Sequence, residues 1–66
     1  MITRENIGQL CQVNAVGEFY RFIDGWQGTL KEIQPSGLAL LSVPDSTVDS
    51  GFKEFILPPA QLVPIP

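Results

Sequence analysis

The chain has 66 residues, with seven acidic and four basic side chains, no histidine, one cysteine and a formal net charge of −3. Such a length makes one small domain that buries only about 60% of its unfolded surface, so its margin of stability is thin. The composition excludes an internal disulfide, any histidine metal ligand and a spanning helix of about 18 apolar residues, and its acidic balance weakens attraction to phosphate backbones.

The first residues, MITRENIG, lack the apolar stretch of a signal peptide, and residues 1–6 are expected to be a flexible lead into one domain spanning 1–66. Gly or Pro punctuates the chain so often that few windows of helix length remain, and short strands fit the spacing. Gln9 to Val13 reads as a first strand with Cys11 and Val13 on one face. Cys11 is expected to be a small buried hydrophobe rather than a reactive thiol, because reactivity needs an electropositive setting.

Asn14 to Gly17 begins a turn or longer loop, and Glu18 to Ile23 is an aromatic-rich segment, either strand or structured loop, ended by the strong turn signal Asp24-Gly25. Trp26 to Ile33 is the next strand; Gly28 inside it points to a bulge, a sharp bend or the close approach of another backbone. Gln34-Pro35-Ser36-Gly37 supplies a turn and Leu38 to Val43 returns antiparallel, apolar on both faces. The polar run Pro44 to Gly51 is a surface loop in which Asp45 and Asp49 are expected to cap turns rather than hold a cation. Phe52 to Leu57 follows as a strand. Pro58-Pro59-Ala60-Gln61-Leu62 reads as a single 3-10 turn, because two consecutive residues lack an N–H, and Val63 to Ile65 closes as a short edge strand.

Five short strands, one long early loop, a tight central hairpin and a single 3-10 turn before the last strand describe an all-β, SH3-like five-stranded small barrel closing on itself. An OB-fold is the nearest rival, but the slot for its helix holds only residues 44–51. Ile56, Leu57, Leu62, Val63 and Ile65 are expected to complete the core, because a domain this small cannot spare five large aliphatic side chains.

Trp26-Gln27-Gly28, Pro35-Ser36-Gly37-Leu38-Ala39 and Ile56-Leu57-Pro58-Pro59-Ala60-Gln61-Leu62-Val63-Pro64-Ile65 resemble the framework of the plasmid-borne type II dihydrofolate reductases. Those are small barrels that assemble as homotetramers around a shared pore. The resemblance covers about the last 40 residues, and it implies a barrel and self-association. Where that family places the pore glutamine and tyrosine, this chain has Phe55 and Leu57, which cannot replace their hydrogen-bonding groups. Arg21, near the place of the family's pore lysines, has Glu18 and Asp24 as neighbours.

The densest aromatic segment, Phe19 to Trp26, holds four of the six aromatic residues. Phe22 is expected in the core on burial statistics, with alternation along a strand pairing Phe19 with Arg21 or Tyr20 with Phe22. Tyr20 and Trp26 carry polar handles and suit interfaces. The expectation is therefore a non-enzymatic protein-interaction module, self-associating and cytoplasmic, that makes contact through Tyr20, Arg21, Trp26 and Phe55. Neither catalytic residues, a cofactor nor a metal is expected, and neither nucleic acid nor a membrane is an expected partner. A shared-pore enzyme built around Phe55, Ile56 and Leu57 is the first alternative, and a nucleic-acid-binding barrel the second.

Overall fold

The alternating apolar pattern becomes five antiparallel strands in a computed structural model, which describes residues 2–66. The strands are β1 Leu10–Val13, β2 Gln27–Ile33, β3 Ala39–Pro44, β4 Phe52–Leu57 and β5 Leu62–Pro64, with 3-10 turns at Arg4–Asn6, Arg21–Ile23 and Pro59–Gln61. They form one sheet in the order β4-β3-β2-β1-β5. The extents of the molecule, 30 × 26 × 25 Å, are nearly equal, so the sheet wraps around its contents instead of lying flat. This is the expected all-β, SH3-like small-barrel arrangement, with the expected 3-10 turn before the last strand.

Full closure does not occur. Among the described residues no pairing joins β4 to β5, and two local features account for the open edge. β5 is three residues long and ends in Pro64, which has no N–H to donate. On β4, the Ile56 carbonyl accepts a hydrogen bond from the Tyr20 hydroxyl at 2.9 Å, so a loop side chain occupies part of its edge.

The core is wholly aliphatic apart from one thiol. Ile2, Cys11, Val13, Ile23, Leu30, Ala39, Leu41, Val43, Leu57 and Leu62 are buried together, and no aromatic ring is among them. Alternation places Cys11 and Val13 inward on β1 while Leu10 and Gln12 face out, as the sequence pattern predicts. Residues 1–6 were expected to be flexible; of these, Ile2 is packed into the core, and Thr3 and Asn6 form a reciprocal capping box around the first turn.

The glycine in β2 marks a close approach. A Cβ on Gly28 would run into the Ser42 carbonyl oxygen and the Val43 Cγ2 methyl, so only a bare backbone lets β2 pass β3 there. The bulge falls elsewhere, at Lys31: Leu30 pairs with Leu41 and Glu32 with Leu40. The extra residue lets Lys31 and Glu32 both face water and returns Ile33 toward the core.

The tail corrects the sequence reading in part. Leu57 and Leu62 are buried, but Ile56 and Val63 point outward, because strand alternation sends neighbours of buried residues to the other face. No helix among the described residues is long and apolar enough to cross a membrane.

Candidate functional site

The loop between β1 and β2 carries most of the aromatic side chains, and its base is tightly fixed. Val13 and Trp26 close it, through Val13 N–H to Trp26 O at 2.8 Å and Gly25 N–H to Val13 O at 2.9 Å. Gly25 sits at φ 81°, in the left-handed region that a side chain would strain. The Asp24 carboxylate accepts from Ala15 N–H at 2.9 Å, and the Gln61 side-chain oxygen accepts from Val16 N–H at 3.0 Å. Ile23, fully buried, plugs the loop into the core.

Inside this frame the chain turns as a 3-10 helix, with Ile23 N–H bonded to Tyr20 O at 3.1 Å and Asp24 N–H to Arg21 O at 3.0 Å. A repeat of three residues puts i and i+3 on the same side. Tyr20 and Ile23 therefore both face inward. Phe19 and Phe22 share the outward side, at 78% and 66% exposure. The expectation that Phe22 belongs to the core fails for this reason: it assumed the two-residue period of a strand, and the segment has a period of three.

Around this turn the rings meet in two groups, Phe22 and Trp26 on Phe55, and Phe19 on Tyr20. Phe55 is half-buried against the core, with Phe22 at 6.1 Å and Trp26 at 5.9 Å between ring centroids, both edge-on. Phe19 meets Tyr20 edge-on at 4.7 Å. Trp26 is 40% exposed. Among the described residues its indole N–H has no acceptor, and the exposed Arg21 guanidinium has no carboxylate within ion-pair distance. Of the four residues singled out from sequence, Trp26 and Phe55 meet edge-on, Tyr20 packs against the core beneath Phe19, and Arg21 stands on the third side of the same turn. Phe19 and Phe22 were missed as surface residues, and their i, i+3 spacing ahead of a buried Ile23 was the signal.

The other candidate groups are structural. The Cys11 thiol is buried, its Sγ 3.7 Å from the Gln9 carbonyl oxygen, and burial pushes its pKa upward, away from thiolate chemistry. Asp45 accepts from the Thr47 hydroxyl at 2.6 Å and the Thr47 N–H at 2.9 Å. It also pairs with Lys53 at 3.1 Å. The Thr47 hydrogen bonds, then Lys53, hold its carboxyl down at about 2, so it caps the turn as expected. Among the described residues no group of three or more His, Cys, Asp or Glu side chains converges as a metal set, and no enclosed pocket is present. The exposed rings of Phe19, Phe22 and Trp26 are the main apolar feature of the loop's surface. No family model, curated protein or solved structure matches the chain.

Proposed function

We propose that this chain is a non-enzymatic, self-associating protein-interaction module of the cytoplasm whose contact surface is the aromatic patch on the β1–β2 loop. One observation carries the reading: the core is filled by aliphatic side chains while Phe19, Phe22 and Trp26 are held outside it by a rigidly anchored turn. Large rings exposed on a fixed backbone cost solvation without adding to the core, and they are the side chains most enriched at protein contacts. The buried, unpaired cysteine fits a reducing compartment.

The shared-pore reductase is the competing reading, and Leu57 weighs against it. That side chain is fully buried in the single chain and would have to leave the core to line a pore. A fluorescence titration of Trp26 with NADPH tests it, and a saturable change would favour the enzyme. The net charge of −3 likewise weighs against nucleic acid.

The contact reading is tested by placing a photo-crosslinking phenylalanine analogue at position 22, and separately at position 32 on the bulge, in cells producing the protein. Protein adducts at 22 and not at 32 are the expected result; absence of any protein adduct at 22 would overturn the reading.

A further inference from the structure

We draw no further inference here: the strongest candidate, the exposed ring surface of Phe19, Phe22 and Trp26 on the β1–β2 loop, carries nothing beyond the reading already given, because nothing in the structure shows what covers it.

Discussion

The β-sheet interior and the β1–β2 loop divide the apolar side chains by kind. The sheet buries Val13, Leu30, Leu41 and Leu57, all aliphatic, whereas the loop displays Phe19, Phe22 and Trp26 around a half-buried Phe55. In a 66-residue chain with a thin stability margin, burying those rings would be the largest available gain, at about 2 kcal/mol or more each. Their placement outside implies that the loop is shaped for something other than stability. The same turn shows how this is arranged: Ile23 and Tyr20 hold the loop down, and the period of three turns Phe19 and Phe22 outward.

Substitutions sharpen the contrast, beginning with the interior. Leu41→Ala should cost about 3 kcal/mol in urea denaturation, enough to unfold a large fraction of so small a domain. Phe22→Ala, which removes a larger side chain from the loop, should change stability by no more than about 0.5 kcal/mol. If the two losses were equal, the division between core and surface would be wrong. Gly28→Ala, which forces a methyl group onto the Ser42 carbonyl, should cost about 1–3 kcal/mol, read as a lowered Tm.

Tyr20→Phe removes only the hydrogen bond to the Ile56 carbonyl and should cost about 1 kcal/mol. It also frees part of the β4 edge, so the variant should aggregate more readily on heating than the wild type, measured by light scattering. The smallest effect is at Asp45. Its folded carboxyl titrates at about 2 against 3.8 ordinarily, so the native state binds fewer protons in that window. The stabilisation is fully present above about pH 4 and is lost as pH falls toward 2. Asp45→Asn should flatten the acid limb of the stability curve and leave its shape above about pH 5 unchanged.

The strands were legible because their turn chemistry is explicit. Pro35 to Gly37 and Asp24-Gly25 bound β2 on both sides, and the doubled proline at 58–59 ends β4. Gly28 could be read as a point of close approach, but the bulge at Lys31 left no mark, since two adjacent charged residues look like any exposed pair. Tyr20, Trp26 and Phe55 were identifiable by their polar handles or their strand, although the contact of Trp26 with Phe55 and that of Tyr20 with Phe19 depend on tertiary packing. Phe22 was misplaced because an aromatic residue between Arg21 and Ile23 satisfies a strand pattern as well as a 3-10 one. Only the burial of Ile23 separates the two. Closure of the barrel was overestimated for a similar reason: composition does not reveal that Tyr20 reaches the β4 edge.

Acrylamide quenching of the single tryptophan, followed across protein concentration, tests the central claim most directly. Trp26 should be readily quenched in dilute solution and progressively protected as the chain associates, with the protection lost in Phe22→Ala. A tryptophan shielded at every concentration would mean that the rings belong to the core, and one equally exposed at every concentration would mean that the patch does not bind a second copy.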